Sequence, residues 1–171
     1  TEMGDFDTDP MEDDSSDDDD EAGGYGLGSL YYQDGSKYTG TFDFNSQPNG
    51  YGESYTPDGM VYKGYWVNGE KEGNGSMTWT SGDFMGDCYT GGFHKDERSG
   101  QGTLQFSDGD KYVGQWKLGK QHGKGTLTYA DGEIYKGNFR NGLYHGEGTV
   151  TSPDGKVLKG IWINDKFMSK R

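Results

Sequence analysis

The chain has little with which to build an ordinary hydrophobic core. Hydrophobic residues make up only 29% of its 171 positions, where about 45–50% is usual. Leu, Ile and Val are too few for a large aliphatic core. The single cysteine, Cys88, rules out an intramolecular disulfide and favours a reducing compartment. No apolar run approaches the roughly 18–20 residues of a transmembrane helix, and no basic-then-apolar segment opens the chain. These absences predict an intracellular, cytoplasmic protein. Lys and Arg are missing altogether from residues 1–21, which carry 12 acids. Of the net charge of −13 the leader therefore carries −12, because the remainder holds 17 acids and 16 bases. The body is itself uneven: residues 22–99 carry 10 acids and 5 bases, residues 100–171 carry 7 acids and 11 bases. A body with a net acidic charge argues against nucleic acid as a partner.

Glycine and aromatic rings are plentiful. There are 32 glycines, and Phe, Trp and Tyr reach 15%. A disordered chain is normally poor in rings. The rings recur with a beat. Tyr112-Val-Gly-Gln-Trp116 returns as Tyr135-Lys-Gly-Asn-Phe139 and Leu158-Lys-Gly-Ile-Trp162, each 23 residues on. Earlier copies are Tyr89-Thr-Gly-Gly-Phe93, Tyr62-Lys-Gly-Tyr-Trp66 and Tyr38-Thr-Gly-Thr-Phe42. Each copy is followed by Gly-x-Gly and then by Asp-Gly or a substitute, as in Gly123/Gly125 with Asp131-Gly132. Repetition of this kind points to an array whose units stack on their neighbours.

Residues at i, i+2 and i+4 share one face of a strand, so each Tyr-x-Gly-x-Trp unit reads as a strand with both rings on one side. The Gly-x-Gly segment reads as the return strand, with bare positions into which neighbouring rings lie. Asn68-Gly69 and Asn141-Gly142 fall between the two strands of their repeats, as tight-turn residues do. Asp-Gly pairs mark the turn into the next repeat. The expected fold is all-β: an elongated single-layer antiparallel sheet of stacked β-hairpins. Residues 1–24 are expected to be an acidic disordered tail, 25–168 the array, and 169–171 a short end. Within the array a half repeat covers 26–37. Full repeats start at 38, 62, 89, 112 and 135, and a truncated one at 158. Extra residues in Phe44–Asn49 and Asp83–Cys88 break the beat.

The pattern Tyr-x-Gly-x-Trp-x-x-Gly-x-x-x-Gly-x-Gly, carried by residues 62–75 and 112–125, resembles the MORN (membrane occupation and recognition nexus) repeat. The resemblance spans about 26–166. It implies an extended, non-catalytic all-β module used as a scaffold for proteins or phospholipid, in some relatives dimeric. The acidic leader and the His-Gly-x-Gly sequences at His122 and His145 are similar to radial spoke head proteins of cilia, which implies a ciliary or cytoskeletal setting. Leu158 in place of Tyr and Ser81 in place of Asp depart from the pattern.

Tyr38, Tyr62, Trp66, Tyr89, Phe93, Tyr112, Trp116, Tyr135, Phe139 and Trp162 form a ladder with two open roles. It packs the sheet, or part of it lines a groove that grips a partner's helix or extended segment. A protein partner or a second copy is expected over one face. A second function is peripheral membrane attachment, with anionic lipid drawn to Lys117, Lys120, Lys124, Lys136, Arg140 and Lys159. In the leader, Ser15 and Ser16 each have an acid three residues on and suit an acid-directed kinase. Asp13 to Glu21 lacks the glycine of a calcium loop. No catalytic residue, metal site, cofactor or small-molecule substrate is expected. Cys88 has no adjacent histidine, and His94, His122 and His145 lack partners at metal-ligand spacing.

Overall fold

The computed structural model describes residues 26–170. Ser15, Ser16 and the acidic leader lie outside them. Thirteen strands form one sheet in chain order, every neighbour antiparallel. They are β1 (Leu27–Tyr31), β2 (Lys37–Phe42), β3 (Pro48–Tyr55), β4 (Met60–Val67), β5 (Glu70–Trp79), β6 (Cys88–His94) and β7 (Glu97–Gln105). Then follow β8 (Lys111–Lys117), β9 (Lys120–Thr128), β10 (Ile134–Arg140), β11 (Leu143–Thr151), β12 (Val157–Ile163) and β13 (Lys166–Lys170). The ladder strands are β2, β4, β6, β8, β10 and β12.

One row of glycines crosses the sheet. Gly28 faces Gly40, Gly40 faces Gly52, Gly52 faces Gly64, and the chain of pairs continues through Gly75, Gly91, Gly102, Gly114, Gly125, Gly137 and Gly148 to Gly160. The reason is the tyrosine two residues earlier. An ideal Cβ at Gly125 would lie 2.5 Å from the Tyr112 hydroxyl, and one at Gly114 2.6 Å from it. The phenol lies across the pair, and its hydroxyl donates to the Gln115 carbonyl at 2.8 Å. Tyr38, Tyr62, Tyr89 and Tyr135 repeat the same bond to Thr41, Tyr65, Gly92 and Asn138.

The two glycines of Gly-x-Gly thus have separate duties. The second clears room for the ring. The first makes a bulge: Gly123 has φ +63, a conformation that costs other residues energy. Across that hairpin Gly114 faces Gly125, yet Trp116 faces Gln121. Register shifts of this kind recur in the hairpins, whereas the junctions between repeats, such as β7–β8, run without one. Bulges bend and twist a strand, which lets a single layer bury its own rings.

The connections follow the expected chemistry. Asn68-Gly69 and Asn141-Gly142 take positive φ at both positions, as a type I′ turn demands. Lys95-Asp96 and Asn164-Asp165 do the same without glycine. There the aspartate gains a job: Asp96 accepts from the Lys71 amide at 2.9 Å, and Asp165 from the Tyr144 amide at 2.7 Å. Each turn is thereby tied to the previous repeat. The insertion before β6 is closed by Asp87, only 7% exposed, whose carboxylate accepts from the Ser107 amide at 2.8 Å. Ser81, at the Asp position of its repeat, donates to the Asp58 carbonyl at 2.7 Å.

Candidate functional site

The two faces of the sheet are chemically distinct. On the aromatic face the rings form a continuous edge-to-face zigzag. Tyr112 meets Trp116 of its own strand at 5.3 Å and Phe139 of the next repeat at 5.0 Å. Tyr62 meets Trp66 at 5.2 Å and Phe93 at 4.9 Å, and Tyr89 meets Phe93 and Trp116 in the same way. Trp66, Phe93, Trp116 and Phe139 therefore each bridge two tyrosines of the ladder. Such contacts add roughly 0.5–1.5 kcal/mol per pair beyond area burial.

The ladder residues are core. The tyrosines Tyr38, Tyr62, Tyr89, Tyr112 and Tyr135 are fully buried, and Trp66, Phe93, Trp116, Phe139 and Trp162 are 3–7% exposed. Of the two roles open in the sequence, packing is the one this geometry displays directly. Burial also raises the phenol pKa values, pushing Tyr89 and Tyr135 up to about 12. Tyr38, Trp66 and Trp116 of the ladder line clefts. One cleft of about 270 Å³ lies beside Tyr38, Trp66, Lys71 and Asp96. Another of about 200 Å³ lies beside Arg98, Leu104, Trp116 and Gln121.

A row of residues missed by the sequence analysis covers the rings. It is the position opposite each Trp or Phe across the hairpin: Pro48, Lys71, Arg98, Gln121, Tyr144 and Phe167. Lys71 sits over Trp66 with its ammonium 5.2 Å from the ring centre. The Arg98 guanidinium lies 4.3 Å from the centre of Trp116 and donates to the Gly119 carbonyl at 2.8 Å. Burial lowers the Arg98 pKa. Tyr144 stacks flat on Tyr135 at 3.5 Å and shares a 2.6 Å hydroxyl contact with Tyr129. The types differ from repeat to repeat, so no recurring letter marks them. Trp66 and Trp162 donate their indole N–H to Gly52 and Gly148, whereas that of buried Trp116 lacks an acceptor.

The reverse face carries the residues that alternate with the rings. Lys117, Lys120, Lys124, Lys136, Arg140 and Lys159 all belong to it and are all exposed. The structure therefore gathers the whole set proposed for anionic lipid onto one side. Strand alternation relative to Tyr-x-Gly-x-Trp was the signal that could have placed them. Lys124, Lys136 and Lys159 rim a groove of about 540 Å³ floored by Gly114, Gly125, Gly137 and Gly148. Gln101, Asn138 and Thr149 add polar groups to its walls, and Glu147 is its one carboxylate. A second stretch of about 340 Å³ lies farther along the glycine row, beside Tyr51, Lys63, Asn74 and Thr90.

Cys88 and His94 stand at opposite ends of β6, too far apart to act as a pair. His145 contacts Asn164 at 3.3 Å. His94 contacts Glu72 at 3.1 Å, and that contact holds the Glu72 carboxyl below its ordinary range.

The MORN repeat family model matches residues 38–61, 62–84, 89–111, 112–134 and 135–157, together more than half of the chain. Alsin of Rattus norvegicus is 34% identical over a stretch covering 47% of this chain and 5% of alsin. The chain thus spans a small fraction of that relative. Among solved structures, the SAS-4 (dCPAP) TCP domain of Drosophila melanogaster, in complex with a proline-rich motif of Ana2 (dSTIL), aligns with a TM-score of 0.40 and 11% identity. It covers 94% of this chain and 99% of that one; a likeness of that size carries no argument about function. MORN repeats are protein- or membrane-binding modules. With five matched copies, the chain belongs to the MORN repeat family.

Proposed function

We propose that this chain is a non-catalytic scaffold that holds a protein partner across the aromatic face of its repeats. One observation carries this reading: at two repeat junctions the spine surfaces in a cleft where a tryptophan lies under a cation, Trp66 with Lys71 and Trp116 with Arg98. Desolvated aromatic and arginine side chains are the usual anchors of protein interfaces. The buried tyrosines then act as the rigid bed, and the partner touches the tryptophan edges and the covering row. We place the assembly inside the cell, at a ciliary or cytoskeletal structure, on the strength of the acidic leader and the His-Gly-x-Gly copies. Affinity capture from ciliated-cell extract, with the wild type beside Lys71→Glu and Arg98→Glu, tests it. A defined set of proteins should bind the wild type and be lost from both variants. Equal capture by all three would refute the role of this face.

The clustering of bases on the reverse face favours a second function, attachment to anionic phospholipid through Lys117, Lys120, Lys124, Lys136, Arg140 and Lys159. Each base near an anionic surface contributes about 1 kcal/mol. Co-sedimentation with phosphatidylserine vesicles should weaken about fivefold on Lys136→Ala. Unchanged binding would remove this function.

A further inference from the structure

We propose that the acidic leader of this chain is itself the ligand of the reverse-face groove, lying along the glycine row and ending among Lys124, Lys136 and Lys159. Three observations on the molecule converge on this occupant.

The first is position. The described fold begins at Gly26, two residues before Gly28, the first glycine of the row that faces its way across the sheet. The preceding residues therefore start at one end of the row. Both stretches of the groove follow it: Gly64, Gly75 and Gly91 floor one, and Gly114, Gly125, Gly137 and Gly148 floor the other. The row positions point toward the rings, so on this face only backbone lies between the flanking side chains, and an extended chain settles there.

The second is charge. Near β1 the reverse face carries Lys63, bridged to Glu53 at 3.0 Å, and Lys37, whose ammonium lies 5.3 Å from the centre of the Tyr31 ring. Among the described residues the ion pairs use Lys63, Lys71, His94 and Lys156, and none involves Lys124, Lys136 or Lys159. The leader has 12 acids and no base. It is thus complementary to the far end of the groove, where three such lysines stand together.

The third is reach. Neighbouring strands lie about 4.8 Å apart, so Lys124 on β9 stands about 40 Å from β1 and Lys159 on β12 about 53 Å. An extended chain covers at most about 3.5 Å per residue. Asp14 then reaches about 42 Å from Gly26 and Asp9 about 60 Å, whereas Asp20 reaches only about 20 Å. Asp9, Glu12, Asp13 and Asp14 arrive at the lysines. Asp17 to Asp20 fall short and cross the neutral middle of the face. Tethering makes the encounter intramolecular, and screening at a Debye length of about 8 Å makes it salt-sensitive. A docked leader competes with any external anion for the same lysines, so the groove is self-occupied until something stronger displaces it.

Zero-length carbodiimide cross-linking of the full chain, followed by peptide mass spectrometry, tests this. The reagent joins only a carboxylate and an amine already in contact. An equal mixture of light and heavy-isotope protein separates links within one chain from links between chains. The expected result is a set of intrachain links from Asp9, Glu12, Asp13 or Asp14 to Lys124, Lys136 or Lys159, reduced at least fivefold in 0.5 M NaCl. Links that follow exposure alone, with turn residue Lys156 as prominent as the groove lysines, would overturn the proposal. So would links confined to Lys37 and Lys63, or links of which about half join a light to a heavy chain, the share that random pairing between chains gives.

Discussion

The aromatic face and the reverse face are made by the same strands, residue by alternate residue, yet they obey different rules. On the aromatic face the repeats that start at 38, 62, 89, 112 and 135 solve one problem in one way: a tyrosine lies over two glycines and is wedged by a Trp or Phe from each side. Little can vary there. On the reverse face the position of Lys124 is held near the start by Tyr51, which packs on Tyr65 at 5.6 Å, and the position of Tyr65 is held near the end by Asn138 and Ile161. Nothing in the packing dictates those types. The lesson is that in a single-layer sheet one face makes the fold and the other is free to differ, and differences between repeats are where partners are specified.

The sharpest way to break the comparison is to remove a ring. Tyr112→Ala takes a fully buried phenol from between Trp116 and Phe139. It should cost about 3–5 kcal/mol in urea unfolding, with the loss concentrated on β8 to β10. A cost under about 1 kcal/mol would mean the spine is not the core.

Raising the pH attacks all the phenols at once. An unfolded tyrosine ionises near pH 10, whereas burial holds Tyr89 and Tyr135 at about 12. A folded pKa above the unfolded one favours folding fully below about pH 10, and that stability drains away as pH rises from about 10 through about 12. Tyrosinate absorbance and near-ultraviolet circular dichroism should therefore change together in that window. Ionisation of the spine with the dichroism intact would contradict the packing.

A smaller effect probes the turns. Leu118 is 70% exposed and sits at φ +50, where the matching positions in other repeats are Asn68 and Asn141. Leu118→Asn should stabilise the protein by about 0.5–1 kcal/mol in thermal unfolding. Destabilisation would show that Leu118 makes a contact worth more than its strained backbone.

The fold was legible in the sequence to a large degree, because its determinants are local and periodic. Period-two spacing fixed which residues share a face, and Asn-Gly fixed where strands reverse. Two things were not legible. Gly123 and Gly125 look alike in sequence, and only the register across the hairpin separates the bulge from the ring's bed. The covering row escaped for the same reason: Lys71 and Arg98 meet Trp66 and Phe93 across a shifted register, which local spacing does not encode. The depth of the ladder was also hidden, since a single layer buries rings only once bulges bend it. Asp96 and Asp165 replace glycine in their turns, and their bonds to the preceding repeat are visible only in three dimensions.

The most direct test takes two neighbouring residues that point to opposite sides. Gly125 faces the Tyr112 ring, and Lys124 faces away from it. Denaturant unfolding of Gly125→Ala and Lys124→Ala should give a loss of about 1–3 kcal/mol for the first and less than about 0.5 kcal/mol for the second. Equal losses, or a larger one for Lys124→Ala, would contradict a division of labour between the two sides of the sheet.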